Sequence, residues 1–148
     1  MGDLIEGLGR LVGTLVAFKY KAHGYHWNVE GDDFPQFHAF FESIYEDVDS
    51  SSDPMAENIR KLDSYAPFKL TRFVQLTEIT ETDVTTDPKV MSADLLVSNE
   101  KIISMLMDTF DVASSTRQQG VANFLAERID AHQKWSWQLR VIGRQTED

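Results

Sequence analysis

The strongest constraint on this chain is its apolar spacing. Leu4, Leu8, Leu11, Leu15, Phe18, Ala22 and Tyr25 recur in alternating steps of four and three. That is the seam of an amphipathic helix, because side chains three and four apart share one face. Phe34, Phe37, Phe41, Ile44, Val48, Met55, Ile59 and Leu62 repeat the pattern, as do Met91, Leu95, Ile102, Leu106 and Phe110. A fourth run passes through Val121, Leu125, Ile129, His132, Ser136, Leu139 and Ile142, fading into the charged Glu147 and Asp148. No segment shows the two-residue alternation of a half-buried strand, so the fold class is all-α.

Asn28 and Gly31 are stop signals for the first helix, since both tolerate the left-handed backbone that ends helices. Ser50-Ser51-Ser52-Asp53-Pro54 interrupts the second run. Two readings stand: a kink inside one helix, or a break with Asp53 as cap and Pro54 at the first helical position. The apolar period resumes in phase after Pro54, which favours the kink. Thr86-Asp87-Pro88 is a cap-plus-proline start for the third long helix, and Gln118-Gln119-Gly120 marks the turn before the last. The polar connection over 64–86 holds one apolar patch, Phe68, Leu70, Phe73, Val74 and Leu76, and is expected to contain a short helix. Four long helices with one long connection between the second and third form a crossover bundle of the ferritin-like kind.

The 148 residues suit one domain, 1–148, with a core that needs no disulfide, and the chain has no cysteine. No signal-like start and no run of ~18 apolar residues is present, so a cytoplasmic location is the expectation. Acidic residues outnumber basic ones 24 to 14, a net charge of −10. Such a surface repels phosphate backbones, and there is no Lys- and Arg-rich tail to offset it. DNA binding is therefore not expected near physiological salt.

Against this background stand His26, His38, Asp53 and Glu57, with Glu42 one turn beyond His38. Two imidazoles and several carboxylates form a mixed nitrogen and oxygen donor set suited to iron, manganese or zinc. If the second run is one helix, a rise of ~1.5 Å per residue separates His38 from Asp53 by roughly 22 Å. One ion cannot touch both within one chain. One copy can supply His26, His38 and Glu42, and a symmetry mate with an antiparallel second helix can supply Asp53 and Glu57. A two-fold contact would make two equivalent sites. The plainer readings are a solvated carboxylate face and a histidine hydrogen-bonded in the bundle. Glu46, Asp47 and Asp49 read first as solvated helix face and second as mineral-nucleating groups. His23, three residues before His26, reads first as a surface or supporting histidine and second as one that approaches the site. His132 reads as a hydrogen-bonding residue within the bundle.

The block His26-Trp27-Asn28-Val29-x-Gly31, then Phe34, His38, Phe41 and Tyr45, then Asp53-x-Met55-Ala56-Glu57-x-Ile59, resembles the Dps family of mini-ferritins. Phe68, Phe73, Leu76, Thr77 and Ile79 are similar to that family's short connecting helix. Phe124, Leu125, Glu127, Arg128, Ile129, His132, Lys134, Trp137, Leu139 and Arg140 are similar to its last helix. The resemblance implies a hollow dodecamer built from two-fold dimers, with a di-iron ferroxidase centre at each two-fold interface. It implies His26, His38, Asp53 and Glu57 as ligands, and Glu42 where the family often has Asp. It further implies oxidation of ferrous ions by hydrogen peroxide, storage of ferric mineral and protection from oxidative damage. Trp27 and Trp137 match positions where the family places tryptophans near the centre, and Trp135 has no assigned role. Glu127 and Asp130 are the candidates for a three-fold pore, because Gln118 and Asn123 stand where acids are common. The rival expectations are an architectural DNA-protecting cage with little iron chemistry, and a cage whose centre has decayed through Pro54.

Overall fold

The four seams become four long helices because each has an apolar stripe to bury and a polar face to leave in water. In the computed structural model, which describes residues 1–83 and 85–144, the elements are α1 (Gly2–Asn28), α2 (Phe34–Lys61), α3 (Leu70–Leu76), α4 (Pro88–Ser115) and α5 (Gln119–Ile142). No strand occurs among the described residues. Glu147 and Asp148 lie outside them.

Short links make α1 and α2, and α4 and α5, antiparallel neighbours. The backbone of Gly7 lies against Thr109 while Tyr25 bonds Asp94, so α4 also runs antiparallel to α1. Helices α2 and α4 are therefore parallel, and the connection between them must cross the length of the bundle. Leu4, Leu8, Leu11, Leu15, Phe18, Phe41, Ile44, Met55, Leu95, Ile102, Leu106 and Leu125 are wholly buried along the shared axis.

The crossing segment carries α3 as expected, but the patch divides. Leu76 is buried, whereas Phe68, Leu70 and Val74 remain 76%, 74% and 72% exposed. Helix α3 approaches α1 at Gly13, where a Cβ would meet the Leu76 Cβ at 2.7 Å and the Phe73 carbonyl at 3.2 Å. Only glycine permits that approach. Thr14 Oγ1 then accepts the Glu78 amide at 3.0 Å. Beyond it, Lys21 donates to the Thr80 carbonyl at 2.7 Å and pairs with Asp94 at 3.0 Å, strapping the connection to α1 and α4.

The helix boundaries show which signals were read correctly. Asp87 caps α4, its carboxylate accepting the amides of Lys89 (2.8 Å) and Val90 (3.4 Å), with Pro88 in the first turn. Gly31 takes a φ of 120°, as a stop glycine should. Asn28 instead stays helical and donates its side-chain amide to the Gly24 carbonyl at 2.8 Å. The turn before α5 falls earlier than Gly120: Arg117 adopts the left-handed backbone at φ 61°, and Gly120 lies inside the helix. Helix α2 passes through Pro54 without a break, so Asp53 is not a cap. Pro54 lacks the amide that would bond the Ser50 carbonyl. Just upstream, the Ser50 and Ser51 hydroxyls donate to the carbonyls of Asp47 and Val48 at 2.7 and 2.6 Å.

Candidate metal centre

The tight reversal between α1 and α2 brings His26, in the last turn of α1, against His38, in the second turn of α2. The Glu30 amide ties this reversal to the Thr86 carbonyl at 2.9 Å, ahead of α4. The two imidazoles stack with centroids 3.7 Å apart and planes within 13°. Each Nδ1 meets the other residue's backbone carbonyl, His26 to His38 at 2.6 Å and His38 to His26 at 2.7 Å. A carbonyl can only accept, so each Nδ1 carries the proton and donates. That choice leaves both Nε2 lone pairs free, the tautomer a metal-binding histidine needs. Phe34 stacks on His38 at 4.9 Å. His26 is buried and His38 half-buried, so the pair is held in place before any ligand arrives.

Glu42 follows His38 by one helical turn and accepts the Tyr45 hydroxyl at 3.4 Å. Partial burial, then the Glu42 charge, raises the Tyr45 phenol above its usual range. The Tyr45 ring lies edge-on to His26, with centroids 5.3 Å apart, and face-on to His23 at 4.0 Å. His23 in turn contacts Trp27, again at 4.0 Å. Burial first and the Lys19 charge second hold His23 below the ordinary histidine range.

Asp53 and Glu57 are placed elsewhere. Both are exposed on the later half of α2, and because α2 is continuous, the separation from His38 is the full ~22 Å of helical rise. Among the described residues, no three His, Asp or Glu side chains of one chain converge to hold an ion. The chain therefore presents two half-sets. Glu127 and Asp130 are exposed on α5, Trp137 is 55% exposed there, and Glu46 and Asp49 are exposed on α2. Nothing within the chain brings these five together.

Asp47 corrects the expectation of a free acidic face. Its carboxylate accepts two bonds from Arg128, at 3.0 and 2.9 Å, and one from the Trp135 indole at 2.7 Å. Arg128 also donates to His132 Nε2 at 3.1 Å, and His132 Nδ1 donates to Asn99 Oδ1 at 2.7 Å. Asn99 completes the chain by donating to the His132 carbonyl and to Ser136 Oγ, both at 2.7 Å. Burial, reinforced by the Arg128 charge, pushes His132 down to about 3, so it is neutral. The bonds from Arg128 and Trp135 keep Asp47 ionised below the usual carboxylate value against the opposing effect of burial. His132 is thus the bundle hydrogen-bonder expected of it. Trp135 gains a role that its helical spacing could not reveal, since its partner lies 88 positions away.

A family model described as a ferritin-like domain matches residues 5–147. An uncharacterized low temperature-induced protein of Nostoc sp. is 33% identical over 123 residues, covering 81% of this chain and 68% of that protein. The DNA protection during starvation protein of Helicobacter pylori is 25% identical over 135 residues, covering 90% and 94%. The crystal structure of a Dps protein from Vibrio cholerae, described as one of the ferritin-like diiron-carboxylate proteins, superposes with a TM-score of 0.91. It is 25% identical and covers 95% of this chain and 88% of its own.

Proposed function

Because the chain belongs to the ferritin-like family, and within it to the Dps-type mini-ferritins, we propose that it oxidises ferrous ions at centres shared by two subunits. The ferric product would be stored inside a closed assembly, a dodecamer built from two-fold dimers. The observation that carries this reading is the reciprocal His26–His38 lock, in which each Nδ1 donates to the other residue's carbonyl, so that the neutral ring has its lone pair on Nε2. Asp53 and Glu57 of a mate, its α2 antiparallel to the first, would supply the hard oxygen donors. Mixed imidazole and carboxylate donors suit ferrous iron and hold the ferric state more strongly, and zinc or manganese fits the same set.

A second observation supports assembly. Trp27 (61% exposed), Phe68, Leu70 and Val74 are large apolar side chains left in water, which contacts with neighbouring subunits would cover. Hydrogen peroxide is the proposed oxidant, since it takes two electrons and a centre with two ferrous ions supplies both together, releasing no hydroxyl radical. Histidine and carboxylate donors would bind and orient the ions, and the rings of Phe34 and Tyr45 pack against His38 and His26 to hold the two imidazoles in place. No helix among the described residues is long and apolar enough to cross a membrane.

The test is ferric absorbance after peroxide is added to the anaerobic ferrous protein. Wild type is expected to oxidise iron far faster than the His26→Ala/His38→Ala double variant, with a loss larger than the ~10–100-fold typical of removing a supporting group. Equal rates would remove the histidines from the site. A monomer in native mass spectrometry would remove the shared centre altogether.

A further inference from the structure

Helix α2 carries its charge in two blocks, and nothing within one chain accounts for the second. Glu42, Glu46, Asp49, Asp53 and Glu57 follow one another in steps of three and four, so they share one face of the helix. Arg60 and Lys61 are the only arginine and lysine in α2. Arg60 stands roughly five full turns beyond Glu42, and therefore on the same face. Both basic residues are exposed. The Arg60 Nη1 donates to the Ser64 carbonyl at 2.9 Å and its guanidinium lies 4.7 Å over the Tyr65 ring, so it is already held in place. Yet neither Arg60 nor Lys61 pairs with a carboxylate among the described residues. At the opposite end of α2 stand two acids in the same condition. Asp32 and Asp33 are exposed in the turn, and neither meets a cation among the described residues. Asp33 occupies the N-cap position of α2 but makes no side-chain capping bond. An aspartate there ordinarily accepts an amide of the first turn, so this carboxylate is uncommitted.

We infer that Arg60 and Lys61 dock on Asp32 and Asp33 of the partner subunit, clamping both ends of the contact between the two α2 helices. This rests on the shared-centre reading for its register. An antiparallel pair that sets Asp53 and Glu57 of the partner subunit level with His38 and Glu42 puts the two-fold axis beside Glu46 and Asp47. The same register brings Arg60 and Lys61, within about one helical turn, level with Asp33 and Asp32 of the partner subunit. The contact is isologous, so each pair of chains has two such clamps. It also needs them. Across the two-fold, the acidic face of one α2 meets the same face of the other, and like charges brought together repel. Bound ions offset those carboxylates at the centres, while Arg60 and Lys61 offset them at the ends with or without a metal. The charge pattern selects direction as well. A parallel pair would set Arg60 against Arg60 and acid against acid along its whole length, so only the antiparallel pair is complementary. That is the arrangement the two half-sets require.

The test uses two charge-reversed chains, Arg60→Glu/Lys61→Glu and Asp32→Lys/Asp33→Lys. All four positions are exposed, so each variant should keep its helical circular dichroism. Either variant alone sets like charges against each other at both ends of the contact. In a dilution series followed by native mass spectrometry, each should dissociate at a protein concentration about tenfold or more above that of wild type. Refolded together in equal amounts, the two restore opposite charges at both ends only by pairing with each other. Pairs holding one chain of each kind should then dominate and survive dilution as wild type does. Misfolded chains would not rescue one another in this way. A statistical mixture of like and unlike pairs, or variants that associate as tightly as wild type, overturns the clamp. In that event a wild type that assembles and oxidises iron leaves the ferroxidase reading standing. A wild type that stays monomeric overturns both.

Discussion

The two halves of the candidate centre are built in opposite ways. The histidine half stands at a tight reversal, each ring fixed by the other's carbonyl and by stacking, with His26 buried. The carboxylate half stands on the later turns of α2, exposed, just past a proline that removes one helical bond. A preorganised half loses little entropy on binding, whereas the exposed half must be ordered by its partner. The difference teaches that one chain holds a preordered histidine pair and an exposed carboxylate pair, which the proposed two-fold assembly would join.

The strongest way to break this comparison is to separate the halves genetically. One variant, His26→Ala/His38→Ala, lacks the first half, and another, Asp53→Ala/Glu57→Ala, lacks the second. Each alone should be nearly inactive in iron oxidation. Refolded together, random pairing across a two-fold should restore roughly a quarter of the centres. No regain in mixed assemblies would return all four ligands to a single chain or to none.

Next in size is the buried network that anchors α2 to α5 between the two halves. Asp47→Asn leaves the Arg128 charge, 10% exposed, without its counter-ion. A loss of about 2–3 kcal/mol is expected by thermal or denaturant unfolding, less than for a fully buried pair because Asp47 keeps 29% exposure. An unchanged midpoint would mean that the network does not hold the halves in register.

Acid probes the same network more gently. In the unfolded chain His132 takes up a proton near pH ~6.5, but in the fold not until about 3. Below pH ~6.5 the unfolded state therefore binds more protons, and stability drains away as pH falls toward 3. The Asp47 contribution is retained until pH falls to the unfolded carboxylate value of ~3.9 and is then lost toward its lowered folded value. A His132→Asn variant should show a flatter fall in thermal midpoint between roughly pH 7 and pH 5 than wild type. Parallel curves would assign the acid sensitivity to other groups.

The smallest effect sharpens the carboxylate half. Pro54→Ala should raise the midpoint, with a gain in unfolding free energy smaller than the ~3 kcal/mol that an interior proline costs a helix, because Met55 and Ile59 already pack that turn into the core. A lowered midpoint would show that the proline geometry is itself required there.

Local signals were legible where the physics is local. The three-and-four spacing of Leu4 to Tyr25 names a helix and its buried face. Asp87-Pro88 names a helix start, because its capping partners are two and three residues away. The ligand types and the ~22 Å that separates the two half-sets follow from residue chemistry and helical rise alone. Gly120 misled because Arg117 takes the left-handed turn that glycine usually supplies.

The rest needed the tertiary structure, since periodicity says which face is buried but not what it meets. Only the fold set the tautomers of His26 and His38, by placing each Nδ1 against a carbonyl on the other helix. Only the fold took Asp47 from a nominal acidic face into a pair with Arg128, 81 positions away. It also assembled Tyr45, His23 and Trp27 into one stack, because that depends on the angle at which α2 crosses α1. The chain determined by itself which ions it suits and that one copy cannot close the site. Packing between helices decided which groups are poised, and which are spent holding the bundle together.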